Sequence, residues 1–356
     1  MKILDWYIIR KFLGTYVFAI FLILAITVMF DINEKLDAFL KAPLKATIFD
    51  YFLNFLPYFA NQFSPLFTFI AVIFFTSKLA DNSEIIAMLS TGMSYRRLLR
   101  PYLLSATVIA ALTYVLSAYI IPPANVKRIA YTNQYVKDKS VGYGTNIQLQ
   151  VAKGEIAYMS RYDALQKTGY KFSLESFDGK TLVSRLTAQS IRWDTLYHWT
   201  VRDYMIRDFD GQREHIRRGA RLDTMIPIEP RDFLISEKDQ ETLTSPALSE
   251  YVSRQKERGV ANIKSFEIEQ HRRYAMTAAA FILTVIGMSL SSKKVKGGMG
   301  VNIGIGLVLS FSYILFMTVT STFAVSGYTS PMVAMWIPNI LYTFIAIYLY
   351  YRASHG

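Results

Sequence analysis

The 356-residue chain contains no cysteine. Disulfide scaffolds, thiolate metal sites and cysteine nucleophiles are therefore excluded. Histidine is scarce: His198, His215, His271 and His355 are scattered, with no metal-ligand spacing and no HExxH pattern. A phosphate-binding loop is missing too. The nearest approach to Gly-x-x-x-x-Gly-Lys-Ser/Thr is Gly179-Lys180-Thr181, where the first glycine would fall on Leu174. No Gly-x-Ser-x-Gly elbow occurs. The long apolar runs lack acidic residues at mid-depth, which argues against a proton-coupled carrier and against intramembrane catalysis. No catalytic residue, resident metal or cofactor is expected in this chain. If it moves a solute, the energy comes from a partner.

What the chain has is apolar length. It is 52% hydrophobic and 15% aromatic, with a mean hydropathy of +0.23. A hydrocarbon core of about 30 Å takes about 20 residues of helix to cross. Six runs meet that need: Phe12–Phe30, Phe52–Thr76, Tyr102–Ile121, Tyr274–Leu290, Val301–Val325 and Met332–Tyr351. Pro57 and Pro65 predict kinks in the second run, and Ile121-Pro122-Pro123 predicts a firm stop to the third. Gly300 and Gly304 make a GxxxG step that predicts close helix packing.

Lysine and arginine set the orientation. Lys2, Arg10 and Lys11, then Lys78, Arg96, Arg97 and Arg100, then Lys293, Lys294 and Lys296, then Arg352 fall on one side. The opposite short connections hold only Lys35, Lys41 and Lys45. Both termini are expected in the cytoplasm and the polar middle of the chain in the periplasm. The first run is too long for a cleaved signal peptide, so a retained anchor is expected. The net charge of +12 reflects this loop bias and calls for no nucleic-acid partner.

The middle block changes period. Asn146–Ala152, Glu155–Tyr162, Tyr170–Phe177, Thr181–Trp193 and Tyr197–Phe209 alternate or are rich in β-formers. Turns are marked by Lys153-Gly154, Asp178-Gly179 and Asp210-Gly211. An antiparallel all-β domain of roughly 100–130 residues is expected, sized for a sandwich or jellyroll. A helix follows, opened by Ser245-Pro246 and closed by Gly259, with Leu248, Tyr251 and Val252 as its stripe. The fold class is thus an α-helical membrane protein with six transmembrane helices and an inserted periplasmic, jellyroll-like β domain. Residues 1–123 hold spans one to three, 124–270 the β domain with its trailing helix, and 271–356 spans four to six.

One short loop reads as more than a linker. In Lys78–Pro101, Asp81, Asn82 and Ser83 are N-cap candidates, and Glu84 suits the first turn of a helix. Ile85, Ile86, Met88 and Leu89 give an apolar face, Gly92 a stop, and Arg96, Arg97 and Arg100 a basic fringe. An amphipathic helix across the bundle end, over about residues 81–100, can pack at the interface or dock a separate ATPase. At the opposite end Lys35, Lys41 and Lys45 rise from Asp31–Lys45, where Leu36, Phe39 and Leu40 form one apolar face. Those lysines can snorkel to head groups or contact an anion.

The loop SEIIAMLSTGMSYRRLLRP resembles the coupling segment of the LptF/LptG lipopolysaccharide-export permeases. The likeness extends to the span order, the strand HWTVRDYMIRDFDGQRE, the return segment LTSPALSEYVSRQKERG…EIEQHRRYA and the connection SSKKVKGGMGVNIGIG. It implies a permease subunit of an ABC-type exporter that extracts lipopolysaccharide from the inner membrane and passes it to a periplasmic bridge. It implies as partners a cytoplasmic ABC ATPase dimer carrying ATP and Mg, a second permease, a single-span LptC-like subunit and an LptA-like bridge. It implies Glu84, with Arg96 and Arg97, as the ATPase contact, and Lys35, Lys41 and Lys45 as contacts to lipopolysaccharide phosphates. A lipid cavity among the first, second and fifth spans would have Phe21, Leu24, Phe67, Phe311 and Leu315 on its wall. A non-transporting assembly scaffold, and an ABC permease for another lipid or a lipoprotein, are the competing readings.

Overall fold

Long apolar helices and alternating strands segregate along the chain, and the computed structural model keeps them apart. It describes residues 3–136, 143–152, 154–211, 213–230, 239–257, 263–294 and 299–355. Lys2, Lys153, Gly259 and Lys296 lie outside the described residues. The chain forms two compact units. The first is Met1–Tyr131 with Glu241–Pro246 and Phe266–Gly356; the second is Thr132–Gln240 with Ala247–Ser265.

The first unit is helical. Its elements are α1 (Ile3–Glu34), α2 (Leu36–Lys41), α3 (Leu53–Gln62), α4 (Ser64–Asp81), α5 (Glu84–Ser90), α6 (Tyr95–Val115) and α7 (Ile121–Tyr131). After the second unit, whose helix α8 spans Ser245–Glu257, come α9 (Lys264–Ser291), α10 (Met299–Val325) and α11 (Pro331–His355). Six helical segments among the described residues are long and apolar enough to cross a membrane. Of the candidate spans, α4 is 78% buried and α1 only 17% over their most apolar windows, so α4 is the central post of this unit. Phe12 of α1 and Phe75 of α4 stack at 6.2 Å, and Tyr102 of α6 joins Phe75 at 5.6 Å. On the other side of α4, Phe69 and Ile73 pack with Leu283 of α9, Tyr313 of α10 and Tyr342 of α11.

Pro57 lies inside α3, whereas Pro65 and Pro122-Pro123 act differently from expectation. The second span does not bend at Pro65; it breaks at Phe63, whose φ of −102° and ψ of 13° end α3, and Pro65 falls in the first turn of α4. Proline is tolerated there because the first helical N–H groups have no intrahelical acceptor anyway. The stop expected at Pro122-Pro123 is absent. The helix continues to Tyr131, then through a wider turn over Thr132–Val136. Leu116–Ile120 forms a π turn just before the two prolines. Its wider winding accommodates their rings and their missing donors, which a regular helix would not. The close helix approach also sits elsewhere than expected. A Cβ on Gly300 or Gly304 would meet nothing within 4 Å, whereas one on Gly306 would collide with Ile73, and one on Gly287 would come to 2.7 Å from Val72.

Among the described residues the second unit holds an antiparallel sheet of six strands in consecutive order: β1 (Tyr143–Ala152), β2 (Glu155–Asp163), β3 (Thr168–Asp178), β4 (Thr181–Thr195), β5 (His198–Asp210) and β6 (Arg213–Met225). A simple meander would give a flat sheet with one apolar face and no partner for it. The strand registers show how this is avoided. Ser160, Lys171, Gln189, Asp203 and Ala220 lie in one row across β2 to β6, and the pairing skips that row on every strand pair. Lys171 and Asp203 both have φ of 51°. Across the row the inward positions shift by one. Leu186 and Ala188 of β4 point to the core before it and Ile191 after it; Tyr204 and Ile206 of β5 do so on one side, Val201 and Trp199 on the other. The register is the same on both sides of the row, so no strand is bulged against its neighbour there; one unpaired residue on each of these strands steps the alternation by one and reverses which face is inward. The row is therefore a crease about which the sheet turns its two halves toward one core of Met159, Tyr162, Phe172, Trp199 and Val201. Gly169 sits where the halves meet: its Cβ would lie 3.0 Å from both Ile191 and Met159. Ile226 and Ile228 close the core, and the Trp199 indole N–H donates to the Ile228 carbonyl at 3.0 Å.

The sixth strand was not expected. Arg213–Met225 has no apolar alternation: most of its side chains are exposed, and among the described residues it pairs with β5 alone. Such a charged edge discourages unwanted strand pairing. Arg217 pairs with Asp208 and Arg207 with Glu214, both at 2.7 Å.

Candidate functional site

The loop between the second and third spans is short, yet its polar side chains are held in place. Asp81 ends α4, Asn82 and Ser83 turn, and α5 runs from Glu84 to Ser90. The turn is not closed by a capping side chain. Ser83 adopts φ of 60°, and its N–H donates to the Ala80 carbonyl at 3.0 Å. Ile85 is buried with Leu79, Tyr95 and Leu98, and Met88 and Leu89 pack against that cluster. Ile86 is 58% exposed, so it leaves the apolar face to which the sequence had assigned it. Gly92, with φ of 85°, makes the expected stop. The residues that follow belong to the third span itself: α6 starts at Tyr95, with the Ser94 hydroxyl accepting from the Arg97 N–H at 3.3 Å. The amphipathic helix expected over about 81–100 is thus one short helix, a turn and the first turns of a span.

Glu84 is half-buried and held on both oxygens. Tyr7 of α1 donates its hydroxyl to Oε2 at 3.0 Å, and Asn82 donates its amide to Oε1 at 3.2 Å. Arg97 does not lie free beside it. Its guanidinium pairs with Asp5 of α1 at 2.7 Å, and the Asp5 side chain is 9% exposed. Arg96 and Arg100 are exposed. The first two turns of α1 therefore brace the loop from below, through Tyr7 to Glu84 and Asp5 to Arg97. Both α1 residues escaped the sequence reading. Nothing local marks them, since their partners lie 77 and 92 positions away.

At the other end the three lysines divide. Lys35 sits between α1 and α2, bonded to the Asp31 carboxylate and to the Tyr51 hydroxyl, the latter at 2.7 Å. Phe39 packs its ring on Tyr51 at 5.2 Å, while Leu40 turns outward at 76% exposure. Lys41 and Lys45 are exposed. The five expected cavity residues divide as well. Phe67 is fully buried with Phe12 and Phe75, and Leu24 is buried on α1, so neither faces an open wall of this chain. Phe21 of α1 and Phe311 and Leu315 of α10 are exposed at 69%, 53% and 63%.

A polar crevice of about 410 Å³ of empty space, unanticipated by the sequence, opens among α3, α6, α7, α9 and the segment Glu241–Pro246. Glu269 accepts from Arg272 at 2.5 Å and from Arg273 at 2.9 Å. Tyr58 donates to Glu241 at 3.3 Å, and the Arg128 guanidinium lies 4.2 Å over the Tyr58 ring. The signal was present in EIEQHRR, where Glu269 precedes Arg272 by three residues and Arg273 by four, the spacing of helical ion pairs. It read only as a lead-in to the fourth span.

The sequence profile of one family, described as the lipopolysaccharide export system permease LptF/LptG, matches residues 6–352. No curated protein matches the chain. The match takes in both helical stretches and the creased sheet between them, and with it the chain belongs to the LptF/LptG family of lipopolysaccharide export permeases.

Proposed function

We propose that this chain is the membrane permease subunit of an ABC-type exporter, driven through the α5 loop by a separate cytoplasmic ATPase dimer. The observation that carries the reading is the bracing of Glu84. A carboxylate held by Tyr7 and Asn82 beside exposed Ile86, Arg96 and Arg100 is pre-organised to meet a partner, and pre-organisation lowers the entropic cost of docking. The sequence holds no nucleotide loop of its own, so ATP and Mg are bound by the partner. Arg97 supports the contact indirectly, through Asp5, while Arg96 reaches the partner itself.

On this reading the lysine and arginine bias puts both termini in the cytoplasm of the inner membrane and the β domain in the periplasm. Lipopolysaccharide enters from the outer leaflet of that membrane. Pulling acyl chains from a bilayer costs about 0.8 kcal/mol per CH₂, so the route must stay apolar. The exposed Phe21, Phe311 and Leu315 supply such a surface toward a second permease, with Leu24 and Phe67 packed behind it. Lys41 and Lys45 receive the phosphates first, and Lys35 only by exchanging its Asp31 and Tyr51 partners. The β domain hands the lipid on through a single-span LptC-like subunit to an LptA-like bridge.

Co-purification tests the assembly: the chain should bring down an ABC ATPase and a second permease. Photo-crosslinkers at Lys41 and Lys45 should capture lipopolysaccharide more strongly than one at Lys35. Purification without an ATPase, or equal failure of all three crosslinkers, would remove the support for this reading.

A further inference from the structure

The polar crevice holds the two places where the chain leaves the helical unit and returns to it. The chain leaves through α7, which ends at Tyr131 where the second unit begins, and it returns through Glu241–Pro246. Asn125 and Arg128 of α7 both reach the returning segment. The Asn125 amide donates to the Glu241 carbonyl at 3.3 Å, and Arg128 faces the Glu241 carboxylate at 3.6 Å. From α9, Arg273 grips the same segment. Its Nε donates to Glu269 at 2.9 Å, Nη1 to the Ser245 hydroxyl at 2.9 Å and Nη2 to the Leu243 carbonyl at 2.9 Å. Its side chain is 2% exposed.

A buried ion pair is a poor device for stability alone, because apolar residues of similar volume stabilise as well or better. What it adds is direction. A planar guanidinium presents donors in fixed positions and meets three acceptors on two chain segments at once, which an ammonium on a flexible stem does not. Pro246, next to Ser245, further limits the returning backbone.

We infer that this network is an ionic clasp: it ties the returning segment Glu241–Pro246 to α3, α7 and α9, so that displacement of those helices carries the returning end of the insertion with it. Arg273 is its positioning residue. The clasp rests on the export reading only for what the motion accomplishes.

The test uses the full chain in its assembled complex in lipid nanodiscs, with Arg273→Met, Arg273→Lys and Glu241→Gln. Hydrogen exchange of the backbone amides of residues 241–245 should rise about tenfold or more in Arg273→Met, the loss expected for charge-assisted bonds, and less in Arg273→Lys. Lipopolysaccharide released per ATP hydrolysed should fall in the same order, with hydrolysis per assembled complex unchanged. A purely structural residue would lower yield or melting temperature and leave release per ATP intact in the complex that assembles. Unchanged exchange in both Arg273 variants overturns the clasp, as does raised exchange with undiminished release per ATP. If the unmodified complex releases no lipopolysaccharide, the export reading fails, and the exchange measurement still decides the clasp.

Discussion

The Tyr7→Phe substitution isolates one atom of the α5 loop. It removes the hydroxyl that donates to Glu84 at 3.0 Å and leaves the ring on α1. A hydrogen bond to a charged group is worth about 1.5–3 kcal/mol net, but both partners are only half-buried, and solvent screening brings this to about 1 kcal/mol. If Glu84 must be held in one rotamer to meet the ATPase, association weakens by about fivefold. Glu84→Ala removes the carboxylate itself and should weaken it by about tenfold or more; Glu84→Arg, with Arg96 and Arg100 nearby, more still. Titrating labelled ATPase onto the permease in nanodiscs reads these constants, with melting temperature as the control for folding. The decisive comparison is the double variant. Since Tyr7 acts through Glu84, Tyr7→Phe should add nothing to Glu84→Ala. Additive losses, or a Tyr7→Phe loss as large as that of Glu84→Ala, would refute the reasoning. So would unchanged binding in all three single variants.

Three further outcomes follow from packing and charge. Gly306→Ala and Gly287→Ala place a methyl against Ile73 and Val72 and should destabilise the helical unit by about 1–3 kcal/mol, whereas Gly300→Ala and Gly304→Ala, which meet open space, should not lower the melting temperature of the isolated chain. The Asp208 carboxyl is held below its ordinary value by the Ser184 hydroxyl first and Arg217 second, and the Asp223 carboxyl by Thr200 and then Arg221. A lowered folded value means stability present above the unfolded value, near about 3.9, and lost as the pH falls through the folded one. Acid unfolding of the β domain, followed by tryptophan fluorescence, should therefore flatten in Asp208→Asn and Asp223→Asn, and an unaltered acid limb would contradict this. Trp199→Phe deprives the buried Ile228 carbonyl of its donor and should cost the β domain about 1–3 kcal/mol, read as a shift of its denaturant midpoint.

The six spans were legible because hydrophobic length is a one-dimensional property. Five of six strands were legible for the same kind of reason, as alternation survives wherever one face is buried. The sixth was not, since most side chains of Arg213–Met225 on both faces are exposed and no alternation is imposed on them. The prolines misled because a proline's effect depends on the turn before it. Pro122-Pro123 would end a regular helix, but the wider turn at Leu116–Ile120 lets the chain pass, and no residue type in LSAYI announces that winding.

The site shows the same division at finer grain. Glu84 could be singled out because it opens a helix in a loop too polar to be buried and too patterned to be slack. That Arg97 is paired, and Arg96 is not, depends on which turn of α6 faces Asp5. Reading the loop as its own helix hid that geometry. Once Tyr95 is seen to start the third span, Arg97 falls on the side of α6 that meets Asp5 of α1, and Arg96, about 100° round the helix, is exposed. The same argument sorts Phe67 from Phe311. Phe67 sits on α4, the central post, where almost every position is enclosed, whereas Phe311 sits on a peripheral helix and is 53% exposed. An apolar surface of this chain is therefore found on peripheral helices such as α1 and α10, and α4, enclosed along almost its whole length, contributes little to it.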